Sequence, residues 1–382
     1  MSSTRPLSGL TVIEIGHSVA APYAGMILGE LGAEVIKVEN PKGGDPCRGW
    51  GPPFTGDTAT TFHAFNRAKR GITIDLADPA EVDRLRALIR DRADVLIHNL
   101  KHGTLDRYGL SAELLTTEKP SLVWCNLGAF GSTGPLRDRP GYDPMMQAYG
   151  GLMSLLGEDG RPPVRVGVSI IDIATGMWSV IGILAALQER QRTGRGGVVD
   201  SSLYETTLAW MTLPISAYLA NGEIPRRHGS GIEQIVPYQA FETADGFMMM
   251  AAGSDNLFRR LCATIGRPGL AEEPRFRSNA ERVVNRGQLV PILTDIFRTA
   301  PMAVWADLLD AAGIPNSPIQ TLDQVISDAQ TVSLGIIQQW AAGSPALSLV
   351  GLPLSFDGAR PAFAKTAPGL GEDNADAFDH SP

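Results

Sequence analysis

Between Arg165 and Glu189 the chain reads RVGVSIIDIATGMWSVIGILAALQE, and Asp172 is the only charged residue inside that stretch. A carboxylate among groups that belong in a core costs on the order of several kcal/mol unless it is paired, hydrogen-bonded or neutralised. Two uses fit the spacing: Asp172 caps the apolar helix that follows it, or it is kept there for chemistry, as a nucleophile or base. If the helix starts near Gly176 with Thr175 as its N-cap, Asp172 lies just ahead of the positive end of the helix dipole. That placement favours the anion by about 0.3–1 kcal/mol, or ~2 when partly buried.

Other groups with chemical potential are few. His17 follows an apolar strand in GHSVAAPYAG. Cations occur as Lys69 and Arg70 in NRAKRG and as Arg48 in GDPCRGW. No G-x-S-x-G elbow, HExxH pair or calcium loop is present, and Cys47, Cys125 and Cys262 lie far apart without metal-ligand spacing. The three thiols read as buried or neutral in a reducing compartment, and no metal is expected.

The elements that must position these residues follow from alternation. GLTVIEIG (Gly9–Gly16) reads as a buried strand, Ala21–Ala33 as a helix and EVIKVEN as a second strand, a βαβ unit. GITIDLADP, PAEVDRLRALIRDRA, DVLIHNL and SLVWCNLGAFG continue the pattern, so the expected fold is α/β with a parallel sheet covered on both faces. A dinucleotide reading of the first unit fails because the G-x-G-x-x-G glycines are missing after the first strand. The loop His17, Ser18, Val19, Ala20 still stands at the carboxyl end of a strand, where open α/β sheets place ligands; the alternative is that His17 only caps the helix.

Boundaries are marked by Gly, Pro and charge. Residues 1–205 form the large domain, 206–233 a linker, 234–320 a smaller α+β domain with a hairpin turn at Asp245-Gly246, and 321–382 a Pro- and Gly-rich return packing on the large domain. With 382 residues, 43% hydrophobic and 19% charged, the chain has ample core for more than one domain. A net charge of -8 and a pI near 5.3 argue against a nucleic-acid surface, while leaving room for a local basic pocket. No unbroken apolar run reaches the ~18 residues of a spanning helix, and the first residues, MSSTRPLSG, lack a signal core; a cytoplasmic protein without a membrane partner is expected.

PLSGLTVIEIGHSVAAPYAGMILGELGAEVIKVENPKGGDPCRGWGPPF, FNRAKRGITIDL, ADVLIHNLKHGTLDRYGL, GSTGPLRDRPGYDPMMQAYGGLMSLLG, DIATGMWSVIGILAALQERQRTGRGGVVDSSLYE, IVPYQAF and APGLGED occur in order along nearly the whole chain. Together they resemble the class III (CaiB/BaiF) CoA-transferase family. The resemblance implies a Rossmann-like large domain with a smaller α+β domain, in an interlocked homodimer of ring-shaped protomers. It implies no prosthetic group, with a coenzyme A thioester as substrate and an organic acid as acceptor.

The resemblance also assigns residues. Asp172 is implied as the nucleophile that forms an acyl-aspartyl anhydride and then an aspartyl-CoA thioester, assisted by Asp143 and Tyr142. Implied CoA contacts are His17, Val19, Ala20, Lys69, Arg70, Asn99, Leu100, Thr104, Arg107 and Tyr108, with the cations forming a phosphate rim. Where relatives carry an arginine after the second strand's glutamate, this chain has Asn40-Pro41-Lys42, which moves that grip to Lys42. Racemases related to the family carry histidine in a G-H-D triplet; here it is Tyr142, a poor proton shuttle with a reference pKa near ~10, so transfer is favoured over α-proton exchange. A noncatalytic CoA-binding protein is the third possibility. The subgroup resembled acts on succinyl-CoA and dicarboxylates, with Arg48 set against the acceptor's far carboxylate or, alternatively, used in a salt bridge. Ile232-Glu233-Gln234 departs from the histidine-containing turn of relatives.

Overall fold

The computed structural model describes residues 5–340, 347–362 and 364–378. Within residues 1–212 six strands form one parallel sheet: β1 (Thr11–Ile15), β2 (Glu34–Glu39), β3 (Lys69–Thr73), β4 (Val95–His98), β5 (Val123–Gly128) and β6 (Gly197–Ser202). Their order is β3-β2-β1-β4-β5-β6, with Val12 of β1 opposite Val35 of β2 on one side and Val95 of β4 on the other. Every expected strand of the first unit is found; β4 is a wholly apolar run up to His98, whereas β1, β2 and β3 carry Glu14, Lys37 and Lys69, which are buried as ion pairs. The β1 register then sets all the loops at one edge.

Helices cover both faces: α1 (Ala20–Glu30), α2 (Pro79–Arg92), α3 (Ala112–Glu118), α4 (Asp143–Tyr149), α5 (Ile170–Thr193) and α6 (Leu203–Trp210). On one face Leu85, Leu88 and Ile89 of α2 pack with Ile13, Ile36, Leu96 and Trp124 of the strands in a single core cluster. On the other, α5 lies on α1 at very close range. A Cβ on Gly176 would stand 2.7 Å from the Ala20 carbonyl oxygen, so only glycine lets the two helices approach so near the N-terminus of α1.

Two expectations about α5 change. It starts at Ile170, not near Gly176, which puts Asp172 inside its first turn. It is also long and apolar enough, by length and composition, to cross a membrane, although 44% of its most apolar window is buried inside the protein. The interior helix of a soluble fold meets the same test.

The chain divides into two compact units, 1–150 with 166–212 and 329–382, and 151–165 with 213–328. This moves the expected boundaries: residues 151–165 leave the large domain, and the expected linker 206–233 is helical over Leu203–Trp210 and Thr212–Asn221. The return to the first unit begins at 329, not 321. The second unit contains the hairpin β7 (Tyr238–Glu242) and β8 (Phe247–Ala251), joined by β9 (Asn316–Pro318), over a separate core with Phe241, Phe258, Phe276 and Phe297. In it the Ile232 and Glu233 carbonyls both accept from Arg286, at 2.6 and 2.8 Å.

Candidate active site

The carboxyl ends of β1, β4 and β5 stand side by side, and a cavity of about 260 Å³ opens over them. His17, Ser18, Val19 and Ala20 enter it from the β1 loop, Asn99 and Leu100 from the β4 loop, Tyr142 from the end of the β5 loop and Asp172 from α5. A second cavity of about 190 Å³ on the β2 side shares His17 and Leu100 and is bordered by Glu39, Asn40, Asp45, Ile74 and Leu76.

The setting of Asp172 is made by Asp143. Ser169 occupies the N-cap of α5 without a side-chain bond, so the helix would begin with free amides. Asp143, at the start of α4, fills that role from 28 residues away: its Oδ2 accepts from the N–H of Ile171 at 2.7 Å and of Asp172 at 3.2 Å. Gln147 donates to Asp143 Oδ1 at 2.5 Å and accepts the Val166 N–H at 2.9 Å. The buried Asp143 carboxylate is therefore satisfied by amides. Thr175, expected as the cap, sits a turn inside the helix, where its hydroxyl lies 2.8 Å from the Ile171 carbonyl and 2.9 Å from Thr206 Oγ1.

This arrangement reverses the expected electrostatics of Asp172. Burial pushes its carboxyl up to about 7 and the Asp143 charge pushes in the same direction. Desolvation and a neighbouring anion outweigh the helix dipole. The product is a carboxyl poised to ionise near neutral pH, more basic and less hydrated than a surface aspartate, which suits a nucleophile or a base.

His17 is held through its backbone. Its N–H donates to Asn99 Oδ1 at 3.0 Å and its carbonyl accepts from Asn99 Nδ2 at 2.8 Å, so Asn99 fixes the loop on both sides. The ring Nδ1 lies 3.0 Å from Ser18 Oγ, and burial lowers the ring's pKa, with the Asp45 charge opposing and the Lys37 charge assisting.

Several expected contacts stand elsewhere. Lys69 is buried, with Nζ 2.7 Å from Glu14 and 2.8 Å from both the Pro22 carbonyl and Asn66, so it forms no phosphate rim. Arg70 is engaged with Glu34 at 2.9 Å and Asp373 at 3.4 Å. Lys42 projects into solvent, 3.8 Å from Asp75. Thr104, Arg107 and Tyr108 belong to a short 3-10 turn beyond both cavities. Arg48 is bidentate on Glu39, at 2.7 and 2.9 Å, donates to the Pro368 carbonyl at 3.0 Å and lies over the Phe62 ring; its guanidinium is already occupied.

The cations that do line the larger cavity are Lys101, Arg137 and Arg139, with the His102 ring beside them, none of these singled out from the sequence. Arg137 pairs with Asp138 at 3.3 Å and Arg139 lies 5.7 Å from the Phe130 ring centroid. Their signal was positional: each follows directly on the apolar run of β4 or on the Gly-rich loop after β5. Among the described residues no group of three His, Cys, Asp or Glu is placed to hold a metal.

The larger cavity thus holds a half-buried carboxyl poised near neutrality, with basic side chains among its lining residues. Residues 7–374 match the model of CoA-transferase family III. The mouse succinyl-CoA:glutarate CoA-transferase is 38% identical over 337 residues, covering 88% of this chain and 77% of that protein. The succinate–glutarate CoA-transferase of Agrobacterium fabrum is 37% identical, covering 97% and 94%. A crystal structure of a CaiB/BaiF family protein from Brucella suis superimposes with a TM-score of 0.86 at 38% identity, covering 98% of each chain. The chain thus belongs to CoA-transferase family III and is a CoA-transferase.

Proposed function

We propose that the protein moves CoA from succinyl-CoA to a second carboxylic acid, a dicarboxylate such as glutarate, with Asp172 as the transient acyl carrier. The reading rests on Asp172 lying half-buried in the larger cavity with its carboxyl poised near neutrality. The glutarate-directed names of two relatives support the choice of acids.

The chemistry follows from conserving acyl activation. An Asp172 oxygen attacks the thioester carbonyl, the C–S bond breaks, and CoA thiolate leaves an acyl-aspartyl anhydride. The thiolate then attacks the aspartyl carbonyl, releasing the first acid and forming an aspartyl-CoA thioester. The acceptor carboxylate attacks that thioester and frees the thiolate again. Attack of the thiolate on the acceptor's acyl carbon completes the transfer and regenerates Asp172. A serine ester would discard the activation that an anhydride retains.

In this reading the CoA chain follows the shared wall of the two cavities, past His17 and Leu100, with its nucleotide toward Asn40 and Ile74 and its thioester at Asp172. Lys101, Arg137 and Arg139 replace Lys69, Arg70 and Lys42 as the cationic rim. Asp143 acts by fixing the start of α5 and raising the basicity of Asp172, while Tyr142 borders the acyl end. A homodimer is part of the same reading, supported by the exposed Met177, Trp178, Ile181 and Leu184 on one face of α5.

The test is incubation with succinyl-CoA and a panel of mono- and dicarboxylic acids, with mass spectrometry of new CoA esters. New esters of dicarboxylates support the reading. Exchange of an α-proton in deuterated water without new esters would instead make it a racemase, and binding without either reaction a noncatalytic protein.

A further inference from the structure

Beneath the two cavities lies a set of buried charges that the transfer chemistry does not use. Glu14 on β1 is 3.1 Å from Lys37 through Oε1 and 2.7 Å from Lys69 through Oε2, and all three are fully or almost fully buried. Room for the carboxylate is left by Gly25, where a Cβ would stand 1.9 Å from Glu14 Oε2. Lys37 Nζ also donates to Asp45 Oδ2 at 3.0 Å and to the Gly16 carbonyl at 2.8 Å. Asp45 Oδ1 accepts the N–H of Ser18 at 3.0 Å and of Cys47 at 2.9 Å, and the Asp45 N–H donates to Glu39 Oε2 at 2.8 Å.

Buried ion sets are often no more stabilising than apolar side chains of similar volume, so stability alone does not account for this one. What the set does hold is one unusual backbone. Ser18 has a φ of 68°, in the left-handed region that is sterically unfavourable for a non-glycine residue. The Ser18 N–H is the group Asp45 captures, and Ser18 lies in the larger cavity with His17, Val19, Ala20 and Asp172. Asn99 fixes His17 from the opposite side.

We propose that Asp45, itself fixed by Lys37, is a positioning residue that holds Ser18 in its left-handed conformation and so gives the His17–Ala20 loop the shape the CoA thioester needs. This rests on the CoA-transfer reading above. Asp45 touches no reacting atom; it acts through the loop.

The test compares Asp45→Asn, which sets an amide nitrogen or a neutral oxygen against Lys37, with the double variant Asp45→Asn/Ser18→Gly. We expect the acyl-CoA KM of Asp45→Asn to rise about tenfold or more while the KM of the acceptor acid stays within about twofold, as loop misplacement dictates. Glycine at 18 takes the left-handed conformation without the steric cost, so the double variant recovers about threefold or more of that loss. A folded Asp45→Asn with the wild-type acyl-CoA KM overturns the proposal, as does an equal rise in both KM values without rescue by glycine. If Asp45→Asn does not fold, Ser18→Pro decides, because it removes the donated N–H and imposes φ near −65° while leaving the charges intact. A selective rise in its acyl-CoA KM supports the proposal, and wild-type behaviour overturns it. Absence of transfer in the wild type would defeat the CoA-transfer reading instead.

Discussion

At the scale of the residue, a single carboxylate carries two opposed demands. In the proposed mechanism Asp172 must ionise to attack a thioester, yet burial and Asp143 push its carboxyl up to about 7. The free enzyme's kcat/KM for acyl-CoA is therefore expected to fall about tenfold per pH unit below 7, with one proton involved, as an initial-rate pH profile would show. Stability has the opposite sign. Between the ordinary value of 3.8 and about 7 the folded state holds the extra proton, so this group's contribution is full in acid and is lost as pH rises through 7. Asp172→Asn, which cannot ionise, should be more stable than wild type above pH ~7 by on the order of 1–4 kcal/mol, with the difference closing near pH 4, measured by thermal melts across pH. Asp172 stood out in the sequence as a lone carboxylate among apolar residues, and its proposed role came from the family resemblance. The roles of Lys69 and Arg48 were not legible there: NRAKRG looks like a solvated turn, and only the fold shows Glu14 beside Lys69 and Glu39 beside Arg48.

At the scale of the element, the decisive unit is the start of α5 with the α4 residue that caps it. Asp143→Asn keeps an oxygen that can accept one amide and removes the charge. The midpoint of the pH–rate profile should then move to lower pH while staying above the ordinary aspartate value, since burial, the larger cause, remains. Asp143→Ala also loses the cap and should cost about 0.5–2 kcal/mol in chemical denaturation, with more than that if the amides stay buried and unpaired. The strands and most helices could be read from sequence because periodicity is local. The beginning of α5 could not, since its cap comes from residue 143 and leaves no trace in the residues before Ile170. The helix–helix approach at Gly176 is equally silent until the Ala20 carbonyl is seen against it.

At the scale of the whole molecule, the parallel sheet was legible from the alternation of strands and helices, and the family from motifs spread along the chain. The division into units was legible only in outline, because a unit that leaves residue 150, returns at 166 and leaves again at 212 has no single compositional boundary. One face of α5 leaves Met177, Trp178 and Ile181 about half exposed side by side, which is the face the proposed homodimer would cover. Sedimentation at micromolar concentration is expected to give twice the 40.8 kDa chain mass, and Ile181→Glu to shift the protein toward monomer. A wild-type monomer would refute the dimer while leaving the chemistry at Asp172 untouched.

The central claim is that Asp172 carries the acyl group and then CoA. The most direct measurement is mass spectrometry of the peptide containing Asp172 after the wild-type enzyme is mixed with succinyl-CoA and quenched, alongside transfer rates for Asp172→Ala. The expected result is an adduct on Asp172, trapped by hydroxylamine as a hydroxamate, and a loss of transfer on the order of 10⁴-fold or more in the variant. Undiminished transfer by Asp172→Ala, or full wild-type turnover with every adduct on another residue, would contradict it.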